Sequence, residues 1–174
     1  PAVETYLEIP SDLTPFEQRP WMKCAEITDA AIAAMNSRSY QHLRLNYANC
    51  DMVGHTGDLE ATIMAVETVD LCLRRLAPVV SKHGGVLLVT ADHGNADEMI
   101  RHDKTGALLF DSDGAAAKCT SHSLAPVPFI MLGAPKSLAL APRGRLSNVA
   151  STVLELLGYQ PGDEFERSLI RTPK

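Results

Sequence analysis

Residues 85–94, GVLLVTADHG, decide how the fold is read. Val86, Leu87, Leu88 and Val89 form an unbroken apolar run that ends in Thr90, Ala91, Asp92 and His93. A run of strand length without alternation predicts a β-strand buried on both faces, as in the middle of a parallel sheet. Upstream, Leu59, Ile63, Val66, Leu73, Leu76 and Val80 recur mostly at three- and four-residue steps. That period predicts a long helix, stopped by His83, Gly84 and Gly85. Downstream, VPFIMLG (127–133) predicts another strand, and LSNVASTVLELLG (146–158) a final helix with Ser147 as its cap and Gly158 as its stop.

Further toward the N-terminus, EITDAAIAAMNS (26–37) has Ile27, Ala31, Ala34 and Met35 at helical spacing, and HLRLNYAN (42–49) reads as a short strand. Residues 1–23 hold four prolines and no period, so they are expected to be an extended lead-in, with regular structure over 24–174. The polar, glycine-containing stretch 102–122 is expected to form a hairpin, and no internal repeat is expected. Helices alternating with strands predict an α/β architecture, a mostly parallel sheet with flanking helices.

With 174 residues, 45% of them hydrophobic, the chain has the composition of a globular domain. A net charge of -5 without a basic patch argues against nucleic acid or an anionic membrane as partner. No apolar run reaches membrane-spanning length, and the N-terminus lacks a signal pattern, so a cytoplasmic protein is expected. Cys24, Cys50, Cys72 and Cys119 form no CxxC pair and are expected to be free thiols. The chain starts at Pro1 rather than Met, so a trimmed or partial product of a longer protein is expected.

Ligands of open α/β sheets bind beyond the carboxyl ends of the strands. Three segments there carry chemistry: Asp51 and His55 in NYANCDMVGHTGD (46–58), Asp92 and His93 after the apolar run, and His122 before VPFIMLG. Singly, such an Asp is a turn former and such a His a satisfied side chain. Together they are five possible metal ligands, two aspartates and three histidines, at one expected edge. Carboxylate with imidazole suits manganese or zinc, and five ligands exceed what one tetrahedral ion needs. Two divalent ions are expected, with phosphoryl transfer or hydrolysis as their natural chemistry. Gly54, Gly57 and Gly94 would let the backbone approach closely. Asp58 and Glu60 are expected to favour the start of the long helix, and Asp97 and Glu98 that of a short one.

The strings DMVGHTGDLEAT, VTADHGNADEM and TSHSLAPVPFIM, in this order, resemble the C-terminal part of the cofactor-independent (2,3-bisphosphoglycerate-independent) phosphoglycerate mutases of the alkaline phosphatase superfamily. The resemblance runs from EIPSD and EITDAAI to LELLGYQPGDEFERSLI and points to the plant and trypanosomatid branch. It implies interconversion of 3-phosphoglycerate and 2-phosphoglycerate, in glycolysis and gluconeogenesis, through a phosphoserine at two ions. These would be Mn2+, with Mg2+, Co2+ or Zn2+ as alternatives. By motif, Asp51, His55 and His122 would hold one ion, while Asp92 and His93 help hold the other.

The resemblance also implies what these residues lack: the nucleophilic serine, a first strand with another aspartate ligand, a lysine, and the inserted phosphotransferase domain that contacts substrate. Ser121 and Ser123 flank His122 without matching the nucleophile. No catalytic residue is therefore assigned, and the 174 residues alone are expected to be inactive. Phosphoglycerate is the expected partner of a monomeric parent, in the cytoplasm or a glycolytic organelle. Two other readings stand beside this one: another two-metal phosphatase or phosphomutase of the superfamily, and a non-catalytic segment that self-associates through uncovered apolar surface.

Overall fold

A computed structural model describes residues 4–172, and Pro1 lies outside them. Helix α1 spans Cys24–Ser37, α2 Asn49–Gly54 and α3 Leu59–Lys82. They are followed by strands β1 (Leu87–Thr90), β2 (Phe129–Leu132) and β3 (Ala139–Leu140), helix α4 (Asn148–Leu156) and strand β4 (Ile170–Arg171). The chain forms two compact units, one of Pro1–Val79 with His93–Val127 and the other of Val80–Asp92 with Pro128–Lys174.

In the first unit, Val53, Ala61 and Ala65 make an apolar core against which Phe16 and Met22 pack. The face of α3 that buries is Ala61, Thr62, Ala65, Cys72 and Leu76. Leu59, Ile63 and Val66, apolar residues of the expected stripe, are exposed instead. A polar layer joins α1 to α2. Cys24 Sγ donates to Asn49 Oδ1 (2.8 Å), and Asn49 Nδ2 donates to the Pro20 carbonyl (2.8 Å). Thr28 Oγ1 donates to the Cys24 carbonyl (2.6 Å), so the Tyr47 hydroxyl, also 2.6 Å from Thr28 Oγ1, is the donor in that pair. Among the lead-in residues, Phe16–Gln18 form a single 3-10 turn, and Asp12 pairs with Arg19 (3.3 Å) and Lys23 (2.7 Å).

The expected strand at 42–49 is not one. Its residues up to Ala48 are irregular, and Asn49 already opens α2. His42-Leu43-Arg44-Leu45 alternates like a strand, but a strand exists only through a partner's backbone, and none lies beside it among the described residues.

The excursion is more regular than a single hairpin. Asp103-Lys104-Thr105-Gly106-Ala107 and Asp111-Ser112-Asp113-Gly114-Ala115 share a DxxGA pattern eight residues apart, an internal repeat that the sequence reading lacks. Each copy folds alike: Asp103 Oδ1 accepts from the Thr105 and Ala107 N–H groups, and Asp111 Oδ1 from those of Asp113 and Ala115. Gly106 and Gly114 take φ of 85° and 79°, the left-handed region that glycine enters without a steric penalty. The three arms bond in a ring, Arg101 N–H to Ala117 O (2.8 Å), Ala117 N–H to Leu109 O (2.8 Å) and Leu109 N–H to Arg101 O (2.9 Å).

In the second unit β1 pairs with β2, Leu87 opposite Leu132 and Thr90 opposite Phe129. This pairing is antiparallel, as is that of β3 with β4, so the mostly parallel sheet is not found among the described residues. A parallel neighbour needs a crossover that carries the chain back to the strand's start. Here the chain re-enters β2 at the end where it left β1. Nor is β1 buried on both faces: Leu87, Leu88 and Val89 are half-buried and Thr90 is exposed. Ser147 supplies no side-chain cap to α4. Asn148 does the local work, its Oδ1 accepting from Arg145 N–H (2.7 Å) and its Nδ2 donating to Arg167 O (2.8 Å). Gly158 closes the helix at φ 84°.

Candidate metal centre

The short helix α2 sets the first two ligands. Asp51 lies in it and His55 is its C-terminal cap, four residues on, so both side chains project from one face. The expected loop after a strand is thus a helix, and its geometry is more restrictive than a loop's. His122 comes from the far end of the excursion, where Gly94 and Ser123 form an antiparallel bridge with Ser123 N–H donating to Gly94 O at 2.8 Å. A Cβ on Gly94 would collide with Ser123 Oγ and Asp97, so this bridge needs glycine. Asp97 does not start a helix; it accepts from Ser123 Oγ at 2.7 Å.

Three ligand atoms converge. Asp51 Oδ1 lies 3.1 Å from His55 Nε2 and 3.1 Å from His122 Nε2, and the two nitrogens are 3.0 Å apart. His55 Nδ1 sits 2.7 Å from the Thr120 carbonyl. A carbonyl can only accept, so Nδ1 carries the proton and the neutral ring turns a bare Nε2 lone pair inward. Asp51 Oδ1 and this Nε2 are both acceptors, so a proton on His122 Nε2 would leave the 3.1 Å contact between them unrelieved, whereas a divalent cation among the three atoms satisfies every contact. A second-layer carbonyl that holds the tautomer is the usual support for a ligating histidine. The residues therefore fit a cation, with an N2O donor set suited to a borderline transition metal.

His93 joins from the side, its ring stacked on His122 with centroids 3.6 Å apart and its Nε2 4.0 Å from Asp51 Oδ1. Asp51, His55, His93 and His122 are therefore brought together, all in the first unit. Asp92, two residues past β1, is the last residue of the second unit's first segment. Asn95, absent from the sequence reading, touches the cluster: its Nδ2 donates to Asp51 Oδ1 (3.0 Å) and reaches the Asp51 carbonyl (3.4 Å). Asparagine is common in turns, so nothing in its identity singled it out.

The neighbouring thiols stay neutral. Burial, reinforced by Cys72, pushes Cys24 up to about 12, and burial also raises Cys50. All four cysteines are free. Thiolate ligation, which needs the opposite shift, has no support here.

Comparison with known proteins agrees with this chemistry. The Metalloenzyme superfamily model matches residues 2–161. A 2,3-bisphosphoglycerate-independent phosphoglycerate mutase of Trypanosoma brucei brucei is 48% identical over 172 residues, covering 96% of this chain and 31% of its own length. One from Ricinus communis is 41% identical over 177 residues, covering 98% and 32%. A crystal structure of Leishmania mexicana phosphoglycerate mutase at low cobalt concentration superposes with a TM-score of 0.93 at 43% identity, over 97% of this chain and 32% of that one. The chain thus spans about a third of the length of these relatives.

Proposed function

The chain belongs to the metalloenzyme superfamily, and from that premise we propose that it forms the metal-binding segment of a 2,3-bisphosphoglycerate-independent phosphoglycerate mutase. The observation that carries this is the convergence of Asp51 Oδ1, His55 Nε2 and His122 Nε2, with the His55 tautomer held by Thr120. These three would hold one divalent ion, and Asp92 with His93 would contribute to a second. Manganese is the favoured metal, with magnesium, cobalt and zinc as alternatives. When bound, such ions neutralise the charge of a phosphoryl group and polarise its oxygens.

The residues around them provide rigidity. Thr120 fixes one imidazole, the stacked His93 ring limits the tilt of His122, and the 94–123 bridge holds both histidine-bearing segments. No nucleophile is assigned. Ser123 Oγ is engaged by Asp97, and the serine and substrate contacts are expected from other parts of the mutase. Residues 24–174 act as part of a phosphatase-like domain, and phosphoglycerate is the substrate. The net charge of -5 weighs against nucleic acid or an anionic membrane as partner. Among the described residues no helix is long and apolar enough to cross a membrane. The whole mutase works as a monomer in the cytoplasm or a glycolytic organelle, and the isolated 174 residues self-associate without converting substrate.

An enolase-coupled assay of 3-phosphoglycerate conversion tests this in the protein that carries the segment. Asp51→Asn and His122→Ala each abolish metal-dependent turnover if the reading holds. Unchanged turnover in both variants refutes it, and phosphate release without isomerisation in the unsubstituted protein would favour a phosphatase.

A further inference from the structure

We propose that Asn95 is a positioning residue for the ligand cluster: its amide, wedged between Asp51 and Gly54, holds the Asp51 carboxylate in place for a cation. This inference rests on the metal-site reading above and adds a residue and a steric requirement to it. The orientation of the amide follows from its neighbours. Asp51 Oδ1 and the Asp51 carbonyl, 3.0 and 3.4 Å from Asn95 Nδ2, are both acceptors, so the edge facing them must be the NH2 group. That turns Asn95 Oδ1 to the opposite side, where it is buried and no donor meets it among the described residues. Asn95 as a whole is only 4% exposed.

A buried amide oxygen without a donor is unfavourable, and native folds keep few of them. Here it lies against Gly54, three residues after Asp51 at the end of α2. A Cβ at Gly54 would come within 3.0 Å of Asn95 Cγ and nearer still to Oδ1. Gly54 does not have positive φ, so the backbone does not require glycine there; the space for the amide does. Asn95 and Gly54 thus interlock, joining the segment after His93 to the helix that carries Asp51. Thr120 supports His55 through Nδ1, the nitrogen turned away from the cluster, whereas Asn95 donates to Asp51 Oδ1, the converging oxygen itself, so each ligand of α2 has a polar partner.

Manganese affinity of the full chain, read by the electron paramagnetic resonance of free Mn2+, tests this without reference to turnover. Asn95→Ala and the similarly sized Asn95→Leu should each weaken binding about 10- to 100-fold, the usual range for the support of a metal ligand. Both should keep the native circular dichroism without metal. Gly54→Ala should weaken binding in the Asn95 background and cost no further affinity in the Asn95→Ala background, since the two residues act through one contact. Affinity within twofold of the original in both Asn95 variants overturns the proposal. So does retention by Asn95→Leu alone, which would show a packing role without the donor. Asp51→Asn is the control: if it leaves manganese binding intact, the metal-site reading fails, whereas loss with Asp51→Asn but not with the Asn95 variants defeats only the positioning role.

Discussion

Replacing Asn49 by alanine removes a side chain that ties three stretches of chain together: the Pro20 carbonyl, the Cys24 thiol and the start of α2. Both bonds are 2.8 Å long, and Asn49 is 1% exposed, so water cannot take over in the folded state. A buried carbonyl stripped of its donor costs about 1–3 kcal/mol. The thiol is a weaker donor, and its loss adds about 0.5 kcal/mol, while the void left by the carboxamide adds about 1 kcal/mol. The expected destabilisation is therefore about 2.5–4.5 kcal/mol. With a mid-range urea m-value of about 2 kcal/mol per molar, the midpoint falls by about 1–2 M. Cys24→Ala removes only the weaker bond and should cost clearly less. Hydrogen exchange localises the effect: the Met52 and His55 amides, bonded to Ala48 and Asp51, should lose protection before those of α4. A midpoint shift below about 0.3 M for Asn49→Ala would refute the claim that the polar layer holds α2.

Other outcomes follow from the same structure. The Lys23 hydrogen bond lowers the Asp12 carboxyl below 3.8; a depressed acid stabilises the fold above its unfolded pKa and loses that contribution as pH falls through the folded value. Asp12→Asn should therefore flatten the acid limb of the stability curve below about pH 4 and leave the slope near neutrality unchanged, as measured by urea melts across pH. Cys24, raised from 9.0 to about 12, stabilises the folded state fully below pH 9 and loses that contribution between 9 and 12. At pH 8 iodoacetamide should leave Cys24 intact in the native chain and modify it in urea, as read by peptide mass. Gly106→Ala meets no atom within 4 Å and should cost only the left-handed backbone term, about 1–2 kcal/mol. Gly133→Ala has the same backbone sign but strikes the Gly85 carbonyl, so its thermal midpoint should drop further.

What the sequence discloses follows from how local each signal is. Helices α1, α3 and α4 and strands β1 and β2 are readable because period and apolar run length are properties of one segment. The six residues NCDMVG of α2 hold no period, and their helix depends on Asn49 anchoring to Pro20 and Cys24. Strand direction is not a local property either, which is why the run 86–89 suggests a buried parallel strand and is found in a partly exposed antiparallel pair. Asp51, His55, His93 and His122 stand out by residue type. Asn95 does not, for its role exists only once Gly54 is beside it. The DxxGA repeat is in the sequence, visible as a spacing of eight between Asp103 and Asp111, Gly106 and Gly114.

The ring of hydrogen bonds among Arg101, Leu109 and Ala117 bears on when the cost of assembling the cluster is met. His93 and His122 are separated by the whole excursion, and a flexible loop of that length would carry a closure entropy of a few kcal/mol against every cation bound. The folded knob removes that entropy beforehand, as the arms zip from the two turns back to the Gly94–Ser123 bridge. Binding then starts from preorganised ligands, so loosening a turn far from the histidines should appear as weaker binding with the same ligands in place.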